Sequence, residues 1–255
     1  MAIRASDTVT ACVLIIGNEV LSGRTQDANL QYLGAGLGEL GIRLIEARVI
    51  ADDEDTIARV VNECRARYDY VFTTGGIGPT HDDITAAAVA RAFGVALIRN
   101  PQAVALLEDH YAPNKVNEAR LKMAETPDGA RLVENPVSSA PGFQMGNVFV
   151  LAGVPSIMRV MFDGLKDRLE GGRPMLSETI VARLPEGIMA EGLAAAQARH
   201  PSVEIGSYPF FREGRMGVSL VVRATDAGAI TAAIADVGAE IRRLGGKPSD
   251  EDDAP

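Results

Sequence analysis

Thr73-Thr74-Gly75-Gly76-Ile77-Gly78-Pro79-Thr80-His81-Asp82-Asp83-Ile84-Thr85 decides how this chain is read. The apolar run Tyr70-Val71-Phe72 before it predicts a strand of a buried sheet. The alanine-rich run 84–93 after it predicts a helix stopped by Gly94. Gly75, Gly76 and Gly78 let backbone amides approach an anion without side chains in the way. The helix N-terminus offers its unpaired N–H groups and positive dipole end to the same anion. Asp82 and Asp83 oppose a phosphate by charge unless a divalent cation lies between them. The loop therefore predicts a phosphate-bearing ligand, with Mg²⁺ or another divalent metal held by Asp82 and Asp83. A tight turn with Asp82 as a helix cap explains any one of these residues but not their combination.

Upstream, residues 10–16 form a nearly continuous apolar strand, the kind buried on both faces of a parallel sheet. It runs into the polar loop Gly17-Asn18-Glu19-Val20-Leu21-Ser22-Gly23-Arg24-Thr25. This is not a P-loop, because the spacing of Gly17 and Gly23 is one residue too long and Arg24 stands where lysine belongs. Glu19, just past the strand, is a metal ligand, a water-orienting base or a hydrogen-bonded loop residue. Leu30, Leu33, Leu37 and Leu40 recur at helical spacing before Gly41, and 42–50 predicts a second strand. Asp52 or Asp53 caps the next helix, whose core face is Ile57, Val60, Val61 and Cys64.

This alternation predicts right-handed parallel crossovers and a three-layer α/β/α sandwich with a mainly parallel sheet. Further on, 101–124 predicts helix with a break near Pro113-Asn114, and 127–146 a loop with a short hairpin. Residues 148–151 predict another strand. Gly153-Val154-Pro155-Ser156 then leads into a helix burying Ile157, Met161, Leu165 and Leu169. Ligands of such sheets sit beyond the carboxyl ends of the strands. The loops at 17–25, 74–83 and 152–156 should therefore meet at one edge, with Gly76 and Asp83 lining a pocket.

Residues 170–174 form a linker, after which the pattern changes to strand, helix, strand, strand, helix over 175–245. The expected domains are 9–170, a small α+β module at 175–245, and a disordered acidic tail at 246–255. The formal charge is −9, and Asp250, Glu251, Asp252 and Asp253 supply four of those charges. Such a balance excludes a general nucleic-acid or anionic-membrane surface, which needs clustered Lys and Arg. Residues 1–8 predict a loose leader, no stretch resembles a signal peptide or a membrane span, and the default location is the cytoplasm. Cys12 and Cys64 sit among apolar neighbours as small buried hydrophobes. Lys115, Asn117 and Arg120 lie on a helix that borders the site or faces solvent. His81, His110 and His200 show no metal spacing, and only His81 is a candidate for function.

With these loops placed, a resemblance emerges. The stretch 17–24 with Asp27 and Asn29, then 74–85, resembles the molybdopterin-binding (MoaB/Mog-type) domain. The nearest branch is that of the CinA-type competence-damage proteins and the hydrolase-like half of some FAD synthases. Asn135-Pro136, Ala140-Pro141-Gly142-Phe143 and the segment Leu151 to Ser156 are similar to that branch's later motifs. Ala152, Ile157 and Ser138 depart from the residues usual there, which are proline, glutamate and glycine. The module at 175–245 resembles the small KH-like domain that follows in CinA-type proteins, although it lacks a basic Gly-x-x-Gly loop for RNA. The deamidase domain that often comes next is expected to be absent.

The resemblance implies a nucleotide or pterin joined to phosphate, with molybdopterin as one possible ligand. It implies either hydrolysis of a nucleotide pyrophosphate such as ADP-ribose or FAD with a divalent metal, or adenylylation of molybdopterin. A non-catalytic binding or scaffold protein is the third reading. It further implies Asp83, Asp82, Glu19 and Asp52 as catalytic residues. Gly17, Asn18, Ser22, Gly23, Arg24, Thr74, Gly75, Gly76, Gly78, Pro79, Thr80, Gly153, Pro155 and Ser156 are then ligand-binding. Relatives of this kind associate, so a homo-oligomer is expected, a dimer in preference to a trimer.

Overall fold

The structure, a computed structural model, describes residues 8–112, 115–212 and 215–249. The leader (1–7), the predicted helix break at Pro113-Asn114 and the acidic residues 250–255 lie outside the described residues. The chain divides into two compact units, 1–173 and 174–255.

The first unit is a three-layer α/β sandwich. Its six-stranded sheet runs in the order β2 (Ile42–Ile50), β1 (Val9–Ile16), β3 (Tyr70–Thr74), β8 (Val148–Leu151), β7 (Gly142–Met145), β6 (Arg131–Val133). The first four strands are parallel, β7 runs antiparallel to β8, and β6 runs antiparallel to β7. Side chains of β1 alternate between two cores, as the two-residue period of a strand requires. Cys12, Leu14 and Ile16 meet Ile57, Val60, Val61 and Cys64 of α3 (Glu54–Arg67) and Ala88 and Val89 of α4 (Thr85–Phe93). Ala11, Val13 and Ile15 face the other way, toward Leu33 and Leu37 of α2 (Asn29–Glu39) and Met158, Met161, Phe162 and Leu165 of α7 (Pro155–Leu165). Phe72 centres that second layer, stacked on Phe149 at 5.2 Å and edge-on to Phe162 at 5.9 Å.

Several expectations need correction. Ile157 is only half-buried, and Met158 and Phe162 take the core positions of α7. The segment 101–124 is helical in two pieces, as expected, α5 (Pro101–His110) and α6 (Glu118–Lys122). The region 127–146 contributes β6 and β7 to the main sheet, and β4 (Leu97–Arg99) pairs with β5 (Glu125–Pro127) in a separate ribbon. These strands are three or four residues long, too short for a periodic signal.

The second unit has a four-stranded antiparallel sheet, ordered β10 (Glu204–Arg212), β11 (Arg215–Ala224), β9 (Leu176–Ala182), β12 (Pro248–Ser249). Its helices are α8 (Glu186–Arg199) and α9 (Ala227–Arg243). Ile180, Ala182, Val218 and Leu220 pack against Met189, Ala196, Val237 and Ile241 in its core. Pro248 and Ser249, assigned from sequence to the disordered tail, are the strand β12.

Candidate functional site

The order β2-β1-β3 places a topological switch between β1 and β3, and α2 and α4, which follow them, pack on opposite faces. A crevice must open beyond the carboxyl ends of these two strands. The loop after β1 starts where the Gly17 amide donates to Ile50 O (3.2 Å), turns through α1 (Asn18–Leu21) and closes with Thr25 N–H on Glu19 O (3.0 Å). Asp52 and Asp53, interchangeable as cap candidates, have different tasks. Asp53 Oδ1 accepts the Thr56 amide (2.8 Å) as the cap of α3, and this bonding holds its carboxyl below the ordinary range. Asp52 Oδ2 instead accepts the Asn18 amide (2.8 Å) and ties β2's exit to the loop after β1.

The loop after β3 is pinned at both ends. Gly75 N–H donates to Leu151 O (3.2 Å), Thr85 Oγ1 donates to Gly75 O (3.0 Å), and Thr85 N–H donates to Gly76 O (3.0 Å). Gly75 and Gly76 have φ of 104° and 69°, a region in which L side chains are strained. A Cβ at Gly75 would overlap Ile16 O, and one at Gly76 would overlap Thr85 Oγ1. These glycines thus let the β1 and β3 exits touch. The Gly75 amide, already bonded to Leu151, is not available to an anion, which corrects the expectation that Gly75 and Gly76 act alike.

Neither Asp82 nor Asp83 caps α4, whose N-cap is Ile84 without a side-chain bond. Asp83 Oδ2 accepts both the amide (2.8 Å) and the hydroxyl (2.6 Å) of Thr80, and among the described residues its Oδ1 has no hydrogen bond. Lys122 Nζ donates to Thr80 O, holding a cation over the same turn. The third exit, after β8, is anchored by Asn29 Nδ2 on Gly153 O (2.8 Å), with Gly153 packed on the Gly75 backbone.

The three exits enclose a cavity of about 610 Å³, within the range of small-ligand sites. The carboxylate residues Glu19, Asp52, Asp82 and Asp83 line it, together with Gly75, Gly76, Gly78, Pro79, Gly153 and Pro155. Ala152, Ile157 and Ser138, the three departures from the family pattern, also line it. Thr74 faces a side cavity of about 50 Å³ that shares Glu19, Thr25 and Gly153 with the main one. Thr74 Oγ1 and Asn29 Oδ1, of two residues in its lining, are buried without a hydrogen-bond partner among the described residues.

Other expected residues stand apart from the lining. Gly17 and Asn18 support the wall through their backbone, and Thr80 braces Asp83. Ser22, Gly23, Arg24, Ser156 and His81 are exposed and outside it. Asn117 caps α6 by accepting the Arg120 amide (2.9 Å), Arg120 stacks on the Tyr111 ring (4.0 Å), and neither, nor Lys115, lines the cavity. Sequence reasoning missed Met123 and did not count Asn135 among the site residues. Asn135 is buried, and its side chain folds the loop 135–141 by accepting the Val137 and Ser138 amides and donating to Ala140 O. The Asn-Pro pair at 135–136 was the available signal, since Asn bonds its own following backbone in turns.

Among the described residues no group of three or more His, Cys, Asp or Glu converges to hold a metal by itself. The donors present are hard oxygens, with Asp83 Oδ1 unbonded among the described residues. That set fits Mg²⁺-type binding, in which one or two carboxylates share the ion with ligand phosphates.

Residues 12–171 match the family model described as "Probable molybdopterin binding domain", and 174–244 match "FAD synthase, middle domain". A CinA-like protein of Desulfosudis oleivorans is 37% identical over 207 residues, covering 76% of this chain and 50% of that one. A probable FAD synthase of Caenorhabditis briggsae is 35% identical over 228 residues, covering 78% of this chain and 43% of that one. The chain thus spans half or less of these two relatives. A crystal structure of the protein CinA, of unknown function, from Thermoplasma acidophilum is 34% identical with a TM-score of 0.60, covering 64% of this chain and 99% of that one. Fold, loops and matches agree, and this chain belongs to the MoaB/Mog-type molybdopterin-binding domain family, in its CinA-like branch.

Proposed function

We propose that the cavity binds a nucleotide through its phosphates and hydrolyses a pyrophosphate of the ADP-ribose or FAD type. The observation that carries this reading is the meeting of Glu19, Asp52, Asp82 and Asp83 in one cavity of about 610 Å³. Four carboxylates cannot hold a pyrophosphate by themselves, because their charge repels it. A divalent metal on Asp83, with Asp82, would neutralise the phosphates and make bound water more acidic. Backbone amides of Gly76, Ile77, Gly78 and Gly153 flank the place where phosphoryl charge develops, and Gly153 and Val154 close the far wall. Water attacks one phosphorus, the bond from that phosphorus to the bridging oxygen breaks, and two phosphate monoesters leave. Glu19 or Asp52 accepts the water's proton.

The family description favours a second reading, adenylylation of molybdopterin at the same cavity. The departures at Ala152, Ile157 and Ser138 favour a third, a binding protein without turnover. Incubation with ADP-ribose, FAD and ADP-glucose plus Mg²⁺, Mn²⁺ or Co²⁺ should release a nucleoside monophosphate. Release of none, with ATP consumed only when molybdopterin is supplied, would move the assignment to the second reading. Asp83→Asn removes charge and keeps shape, so turnover should fall on the order of 10²-fold with folding intact. Undiminished hydrolysis by that variant at matched metal concentration would rule out the metal role. We also propose that the chain works as a homo-oligomer, a dimer in preference to a trimer, because β10 is an edge strand of the small sheet among the described residues.

A further inference from the structure

The loop 135–141 separates two cavities. On its far side lies a space of about 370 Å³, and Asn135 lines both. Arg131 of β6 and Arg168, in the 3₁₀ turn Lys166–Arg168 after α7, line this second space. Arg168 is fixed there by its Nη1 donating to Leu132 O (2.9 Å). Burial, and then the like charge of Arg131, pull the Arg168 guanidinium below its ordinary value, with Glu134 opposing them in part. Among the described residues neither has a carboxylate within ion-pair distance, whereas Arg48, Arg59, Arg91 and Arg99 are all paired. Glu134 is the one carboxylate in the wall and pairs with neither arginine.

Two guanidiniums lining one cavity, with Glu134 offsetting part of their charge but forming an ion pair with neither, leave a local excess of positive charge in a chain of net charge −9. The main cavity, with its four carboxylates, repels a free anion, while this one attracts it. Gln102 and Ser139 add polar groups, and Leu106 and Pro141 give an apolar wall for a carbon skeleton. Two guanidinium forks offer more donors than one carboxylate accepts, and they suit the three terminal oxygens of a phosphate monoester. We propose that this second cavity is an anion-binding site that takes the phosphate group of a small phosphate ester. It is independent of the chemistry assigned to the larger cavity.

The test is calorimetric titration of the full-length protein, without metal, using ribose 5-phosphate, inorganic phosphate and unphosphorylated ribose. Ribose 5-phosphate should bind with an affinity that weakens as salt rises, and ribose should not bind. Arg131→Gln should weaken binding about 10-fold or more, as for loss of a charge-assisted bond. Glu134→Gln should tighten it by removing repulsion. Arg168 also supports the Leu132 carbonyl, so the exposed Arg131 is the deciding position, read together with an unchanged thermal midpoint. Equal affinity for inorganic phosphate would support the site with free phosphate as its occupant. No binding of either phosphate, or equal binding by wild type and Arg131→Gln, would overturn the proposal.

Discussion

Asp52 and Asp53 are adjacent, identical in chemistry and opposite in role. Asp53 sits one residue before α3, where its carboxylate reaches the Thr56 amide, and it lies outside the cavity lining. Asp52 points to the Asn18 amide and lines the cavity. Asp53→Ala should lower the thermal midpoint by roughly 2–4 °C, as for loss of a cap in a domain this size, with turnover within about twofold of wild type. Asp52→Ala should do the reverse, releasing the loop after β1 and reducing kcat/KM about 10-fold or more with little change in midpoint. Parallel melting and kinetics on the two variants check this, and equal kinetic losses would mean that Asp52 has no special place. Position alone offered both residues as caps, and only the family resemblance singled out Asp52, because the choice depends on where Asn18 lies in space. Asp83 was singled out from its loop, but its brace on Thr80 depends on a turn that only the folded backbone defines.

At the scale of elements, long periodic segments were legible and short ones were not. The strand 42–50 stands where its pattern placed it, and the leucine repeat between 30 and 40 forms α2. β4 to β7 were missed or left as loop because strands of three or four residues carry too few side chains to show alternation. Ile157 was assigned to the core on helical spacing; it packs against that core while half-buried and also lines the cavity. The glycine loop was read as an anion cradle, and much of its chemistry proves to be attachment. Thr85 holds its start through two bonds, one to the buried Gly75 carbonyl. Thr85→Val keeps shape and removes that bond, so unfolding free energy should fall by about 1–3 kcal/mol, the cost of an unpaired buried carbonyl. Denaturant titration checks it through the midpoint at constant slope. An unchanged midpoint would show that the loop is held by its neighbours alone.

For the whole molecule, the two units each have a core of their own, and the boundary at 173–174 coincides with the gap between the two family matches. Every residue lining the main cavity lies before that boundary. The solved CinA chain that is 99% covered by 64% of this one corresponds in extent to the first unit alone. Domains with a separate core generally fold alone. The fragment 8–173 should therefore unfold in a single cooperative transition and keep metal-dependent turnover within about threefold of the full chain. Assembly should differ, because the edge strand β10 belongs to the second unit. Light scattering should return a particle larger than 27.0 kDa for the full chain and a monomer for the fragment. A full chain that scatters only as 27.0 kDa at micromolar concentration would refute assembly through that edge. A fragment that melts without cooperativity would refute the independence of the first unit, and with it the confinement of the chemistry to residues before 174.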